Sequence, residues 1–201
     1  MTARVEIVLG SSDEVPESVR AVAARLDVEL SERGGGSGAS RVGDRLLPTG
    51  APTWQIEAAL LRALRPRHVL FLCVANSARS QLAEGIARSL ATGGVEISSA
   101  GSAPTSVRSR AVAVLGEIGI DISSHRSTGI DEVVGPVDTV ITLCSEEVCP
   151  AWLRSARRLH WSLPDPAAVG GSHAQKLEAF REVRDELMKR LTELLGPRSG
   201  G

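Results

Sequence analysis

Tyrosine is absent from this 201-residue chain, aromatic residues make up only 2% of it, and cysteine occurs three times. So few cysteines, and an odd number of them, exclude a secreted disulfide framework and suit a reducing compartment in which thiols do chemistry. Long apolar runs are missing as well: none approaches the ~20 residues of a membrane-spanning helix, and the N-terminus lacks the apolar core of a signal peptide. The expected location is therefore the cytoplasm. Nor does one charge dominate. With 23 basic against 24 acidic residues, the chain offers no surface for nucleic acid or membrane. What is present, 42% hydrophobic residues in a chain of this length, suits one ordinary packed domain plus an appendage.

The densest chemistry lies in His68 to Gly85, HVLFLCVANSARSQLAEG. An apolar run, Val69 to Leu72, ends on Cys73; Arg79 and Ser80 follow, and a helical pattern begins there. The stretch reads as a buried strand, a tight anion-binding loop and a helix N-terminus. The small residues Val74, Ala75, Ser77 and Ala78 let successive backbone N–H groups curl around one anion, at which the helix points its positive end. The same field favours the ionised, nucleophilic form of Cys73. Arg79 adds a planar fork of donors suited to a tetrahedral oxyanion. Ser80 can hydrogen-bond the thiolate, and Asn76 can hold the loop backbone in shape. The bland alternative, a small buried hydrophobe followed by a surface arginine, has the loop composition against it.

From Arg67 onward, strands alternate with helices at short intervals, the signature of a parallel sheet covered by helices. After the strand ending at Cys73, strands are expected at Val95 to Ala100, Val137 to Leu143 and Arg158 to Trp161. A first helix carries Leu82, Ile86 and Leu90 and ends at Gly93 and Gly94; a second carries Val107, Ala111, Val114, Leu115 and Ile118 and closes at Gly119. The last, Ser172 to Leu195, opens on a Ser172/Gln175 capping box. The expected fold is α/β, an open parallel four-stranded sheet flanked by helices over residues 67–196, with 197–201 a disordered tail. Residues 1–66 read as a small αβ appendage. It has a strand at Arg4 to Leu9, a helix at Pro16 to Leu26, a strand at Val28 to Leu30 and a flexible Gly34 to Gly38 loop. A helix from Trp54 to Arg65, capped by Thr53 and stopped by Pro66, completes it. No motif names its job; it is either a partner-binding or oligomerisation module or a passive extension.

In open α/β sheets, ligands sit beyond the carboxyl ends of the strands. Cys73 ends the first strand of the second segment, Cys144 ends the third, and Cys149 lies five residues further on in LCSEEVCP. Two thiols on a loop at that edge can exchange with a reactive thiolate, provided the loop brings the sulfurs within bonding distance. A structural zinc site would need about four ligands, and no histidine lies near enough in sequence to complete one. His68, His125, His160 and His173 follow no ligand or triad spacing and read as structural or exposed.

Cys73-Val-Ala-Asn-Ser-Ala-Arg79-Ser80-Gln81 resembles the phosphate loop of low-molecular-weight protein tyrosine phosphatases. With the Ala-Glu-Gly that follows, it resembles more closely that of the thioredoxin-coupled arsenate reductases built on the same fold. The resemblance runs from about residue 67 to about residue 195. It implies that arsenate binds in the cradle from Val74 to Ser80 and that Cys73 attacks it. Cys144 and Cys149 then carry the disulfide away, and thioredoxin or a similar dithiol protein reduces it. Phosphate would compete for the cradle. Leu163-Pro164-Asp165-Pro166 resembles the Asp-Pro element of the same superfamily, which implies that Asp165 protonates the leaving oxygen. No tightly bound cofactor is implied, although some members bind potassium beside the loop, at positions matched here by Asn76, Glu84 and Ser99.

The chain departs from the pattern in two places: Ala78 stands where many reductases have a further cysteine, and the Cys144 to Cys149 spacing is short. The alternatives are a low-molecular-weight phosphatase acting on phosphomonoesters and a non-catalytic oxyanion sensor. The absence of tyrosine weighs against the first, because phosphatases of this family grip a phosphotyrosine ring with aromatic residues at the entrance.

Overall fold

A computed structural model describes residues 3–10, 14–34, 40–92, 94–145 and 150–197. The chain divides into two compact units, residues 1–66 with 192–201, and residues 67–191.

In the first unit, β1 (Ala3–Leu9) and β2 (Val28–Gly34) run parallel and are connected by α1 (Glu17–Arg25). Val5, Ile7 and Leu9 are buried and alternate with more exposed neighbours, the period-2 pattern expected of a strand with one face on a core. Val19, Val22 and Ala23 form the buried stripe of α1. A hairpin follows that the sequence did not announce: β3 (Ser40–Val42) pairs antiparallel with both β1 and β4 (Arg45–Leu47), giving the order β2-β1-β3-β4. Each strand is three residues long, too short to show alternation. The turn is made by Gly43, whose φ of +57° suits a residue without Cβ. In α2 (Thr53–Leu64), Thr53 is the first helical residue instead of the cap; Pro52 precedes it and no side chain caps the helix. Arg62 of this helix is 4% exposed. Its charge is met by Asp44 at 2.9 Å and by the carbonyls of Leu194 and Gly196 at 3.3 and 2.7 Å, as a buried cation requires.

The second unit is an all-parallel sheet in the order β6-β5-β7-β8, formed by β5 (His68–Cys73), β6 (Glu96–Gly101), β7 (Thr139–Thr142) and β8 (Arg157–His160). Every residue of β5 is buried, as befits a strand paired on both edges and covered on both faces. Leu70 and Leu72 pack on one face with Ala100, Val137, Val140 and Trp152. The connections are α3 (Arg79–Leu90), α4 (Ser109–Gly116) and a short 3₁₀ turn at Ile130–Glu132. The long α5 (His173–Leu195) follows β8. Its expected capping box is formed: Ser172 N–H donates to Gln175 Oε1 at 2.8 Å and Gln175 N–H to Ser172 Oγ at 3.3 Å. The last four residues of α5, from Thr192, group with the first unit. The tail expected at 197–201 lies outside the described residues from 198 on. No helix among the described residues is long and apolar enough to cross a membrane.

Glu117, just past α4, ties that helix to α5. It accepts from Arg181 at 2.6 and 2.9 Å and from Arg184 at 2.8 Å. The hydrogen bonds from Arg181 are the main reason its carboxyl sits at about 2 instead of the ordinary 4.5. Folding lowers this value, so the contribution of the carboxylate to stability is complete above pH 4.5 and is lost as the pH falls through 2. The melting temperature of the wild type should therefore fall across that window more steeply than that of Glu117→Gln. Parallel curves would show that the pairing does not support the fold.

Candidate active site

Cys73 is the last residue of β5 and is 2% exposed. Its Sγ accepts the backbone N–H of Asn76 at 3.2 Å and lies 3.0 Å from Ser80 Oγ. Asn76 Nδ2 donates to that same Ser80 oxygen at 2.8 Å, which leaves the Ser80 hydrogen to point at sulfur. Two donors thus converge on one buried sulfur.

The turn between Cys73 and α3 is held open by its carbonyls. Ala103 N–H donates to Val74 O at 2.9 Å, Thr105 N–H to Ala75 O at 3.0 Å and Arg108 N–H to Ser77 O at 2.9 Å. Ser127 Oγ donates to Asn76 O at 2.6 Å. In a trans peptide the C=O and the following N–H point in opposite directions, so carbonyls drawn outward turn the N–H groups inward, above Cys73. The first turn of α3 adds the unpaired N–H groups of a helix N-terminus on the same side. Gly101, at the end of β6, permits the close approach: a Cβ there would lie 2.4 Å from Val74 O and 2.8 Å from Asn76 N. The segment from Val74 to Ser80 thus has the shape of a cradle. Asn76 is fully buried, at φ +45°, and turns its side chain away from the cradle.

Arg79 and Asp165 meet over this loop. Arg79 is 5% exposed, and its Nη2 lies 3.9 Å from Asp165 Oδ1 while Nη1 donates to Leu163 O at 3.3 Å. Cys73, Arg79 and Asp165 line one cavity of about 480 Å³, whose described walls contain no aromatic residue. Arg108 also lines it. This second arginine is not legible in the sequence, where a lone arginine before a helix carries no signal.

Behind the cradle, Asn76 is gripped on every polar atom. Nδ2 donates to Ser99 Oγ at 2.8 Å as well as to Ser80, while Oδ1 accepts from Thr128 N–H at 2.7 Å and from Gln81 Nε2 at 3.0 Å. The Thr128 amide can only donate, so it fixes which way the Asn76 side-chain amide faces. Ser99 Oγ donates to Glu84 Oε2 at 2.5 Å, and Glu84 Oε1 pairs with Arg88 at 2.6 Å. Asn76, Glu84 and Ser99 do come together, but not as a potassium site: the amide oxygen is occupied by two donors, an N–H faces Ser99, and both carboxylate oxygens are taken. The set does not fit a bound cation. Gln81 and His125 belong to this network too, His125 Nδ1 lying 2.9 Å from Gln81 Oε1. Burial is the main cause that lowers the His125 pKa, with the Arg88 charge acting the same way and Glu84 and Asp121 opposing. His125, expected to be structural or exposed, is partly buried and structural. His68 is structural, bonded to Ser98 Oγ at 2.7 Å and to Pro136 O at 3.1 Å.

Cys144 lies two residues beyond β7, at the edge where Cys73 ends β5. The β5–β7 register pairs Leu72 with Thr142, so its continuation sets Cys73 opposite Leu143, one residue short of Cys144. Both cysteines thus sit at the carboxyl ends of neighbouring strands. Cys144 is 0% exposed. Cys149 lies outside the described residues.

A parallel α/β sheet that presents a donor-bound cysteine inside a ring of amides, with a guanidinium and a carboxyl above it, defines an enzyme class that attacks tetrahedral oxyanions through sulfur. Residues 68–198 match the low molecular weight phosphotyrosine protein phosphatase family, and the chain belongs to it. It is 42% identical over 126 residues to an arsenate reductase of Halalkalibacterium halodurans, covering 61% of this chain and 91% of that protein. A glutaredoxin arsenate reductase of Synechocystis is 36% identical over 132 residues, covering 64% of this chain and 96% of its own length. Among solved structures, an arsenate reductase in the phosphate binding state superimposes with a TM-score of 0.53 at 34% identity, over 64% of this chain and 96% of that one.

Gly101→Ala should push the loop off its outward carbonyl anchors and slow alkylation of Cys73 by at least about tenfold, the scale of one lost oriented donor set. An unchanged rate would mean that the loop does not depend on that contact. Arg108→Ala should weaken phosphate binding by about fivefold, as for one exposed charge pair, in a calorimetric titration whose difference from wild type shrinks with added salt.

Proposed function

We propose that this protein is an arsenate reductase, working through Cys73 and a disulfide relay over Cys144 and Cys149. The observation that carries the reading is the position of Cys144, at the carboxyl edge of the sheet beside the strand that ends on the nucleophile. Hydrolysis of a phosphomonoester has no use for a second thiol there, whereas removal of two electrons from sulfur requires one.

Arsenate enters the cradle of N–H groups from Val74 to Ser80 and is held by the Arg79 guanidinium. Cys73 sulfur attacks arsenic, and Asp165, facing Arg79 across the cavity, gives a proton to the departing oxygen, which leaves as water. Cys144 thiolate then attacks Cys73 sulfur. The S–As bond breaks with its electron pair going to arsenic, so arsenite leaves and a Cys73–Cys144 disulfide remains. Cys149 attacks Cys144 in turn, which frees Cys73 and places the disulfide between Cys144 and Cys149. Since Cys144 is fully buried, its disulfide has to become exposed before an external dithiol can reach that bond. Residues 1–66 contain no cysteine, so this unit is not a built-in reductant. A cytoplasmic thioredoxin is the reductant we infer, with a glutaredoxin as the competing candidate that the name of the Synechocystis relative raises. Phosphate, matching arsenate in charge and shape, competes for the cradle.

Arsenate-dependent NADPH oxidation through thioredoxin and its reductase, compared with a glutaredoxin system, measures the reaction directly. Cys144→Ser and Cys149→Ser should each lower multiple turnover by a factor on the order of 10² or more while sparing hydrolysis of an aryl phosphate. Full arsenate turnover in either variant would refute the relay, and hydrolysis without arsenate turnover in the wild type would make the protein a phosphatase.

A further inference from the structure

Arg88, on the third turn of α3, stands where two hydrogen-bonded arms behind the nucleophile loop end. One arm is ionic. Arg88 Nη2 pairs with Glu84 Oε1 at 2.6 Å, Ser99 Oγ donates to Glu84 Oε2 at 2.5 Å, and Asn76 Nδ2 donates to Ser99 Oγ at 2.8 Å. The other arm is neutral. Arg88 Nη1 faces His125 Nε2 at 3.4 Å, His125 Nδ1 faces Gln81 Oε1 at 2.9 Å, and Gln81 Nε2 donates to Asn76 Oδ1 at 3.0 Å. A guanidinium has no acceptor, so it makes Nε2 the accepting nitrogen and leaves the proton on Nδ1. That proton goes to Gln81 Oε1, which in turn aims the Gln81 amide N–H at Asn76. Both arms therefore converge on one residue. Asn76 holds φ +45°, a left-handed backbone that a residue with a side chain keeps only when its surroundings over-determine it, and its N–H is the one bonded to Cys73 Sγ.

A positive charge in this place offsets Glu84 and keeps the carboxylate, Ser99 and Asn76 in one chain, which is what an alkali cation at the same residues would do. We propose that Arg88 is a positioning residue that serves the nucleophile loop as a built-in cation, so that the reactivity of Cys73 in this protein needs no potassium ion. The proposal rests on the reading of Cys73 as the nucleophile of an arsenate reductase, but its test reads the thiol itself as well as turnover.

The test uses the full chain as wild type, Arg88→Lys and Arg88→Ala. Each is alkylated with iodoacetamide over a range of pH in sodium or potassium chloride at equal ionic strength. Mass spectrometry follows the tryptic peptide that contains Cys73 and no other cysteine, with arsenate turnover measured in parallel. The wild type should give the same alkylation profile in both salts. Arg88→Ala should react about fivefold more slowly at neutral pH in sodium, the scale of one half-exposed ion pair, and should recover with potassium or added guanidinium ion. Arg88→Lys should stay near the wild type. Rescue by a small cation is the result that a merely structural role would not give. A wild type stimulated by potassium, or an Arg88→Ala variant that matches the wild type in sodium or does not respond to either cation, would overturn the proposal. The expected alkylation pattern without arsenate turnover would refute the reductase reading and leave the role of Arg88 standing.

Discussion

The hydrogen bond from the Asn76 amide to Cys73 sulfur is the contact on which the rest of the second unit depends. It exists only because Asn76 adopts a left-handed backbone, and that conformation persists because every polar atom of its side chain is engaged. Outward anchoring of the neighbouring carbonyls by residues 103–108 and 127 does the complementary work of turning amides toward the ligand. The proposed anion site is thus built from the back. Residues that never touch the ligand decide where the donors point, and a protein that positions its donors in advance avoids reorganising them during reaction.

The sheet supplies the second constraint. Three parallel strands, β6, β5 and β7, end together, so Gly101, Cys73 and the chain leading to Cys144 arrive at one edge without any long-range design of loops. The close fit of Gly101 against the turn and the lateral position of Cys144 both follow from that register. In the proposed reaction, burial of Cys144 would separate an inner stage, in which sulfur meets sulfur within the site, from an outer one, in which the disulfide is exposed to a partner.

Much of this was legible in the residues. The run from Val69 to Cys73 reads as a strand covered on both faces, the small residues to Ala78 read as a cradle, and Arg79 and Ser80 stand where the helix starts. The stripe and capping box of α5 were equally plain. What escaped was of two kinds. The β3–β4 hairpin has strands too short for a periodic signal and depends on pairing with β1. Gln81, His125, Thr128 and Arg108 act through contacts spanning up to 52 residues of chain or through a shared cavity wall, and no local pattern encodes such meetings. Asn76, Glu84 and Ser99 illustrate the limit well: the sequence brought the right three residues together, but the side-chain orientations and the Arg88 charge turn a cation site into a hydrogen-bonded brace.

The most direct test of the central claim is disulfide mapping by mass spectrometry on the fully reduced protein after arsenate is added without any reductant. The account predicts one Cys144–Cys149 bridge per chain, formed with arsenate and not with phosphate, together with release of one arsenite. Three unchanged thiols after arsenate, or a bridge that forms equally with phosphate, would contradict it.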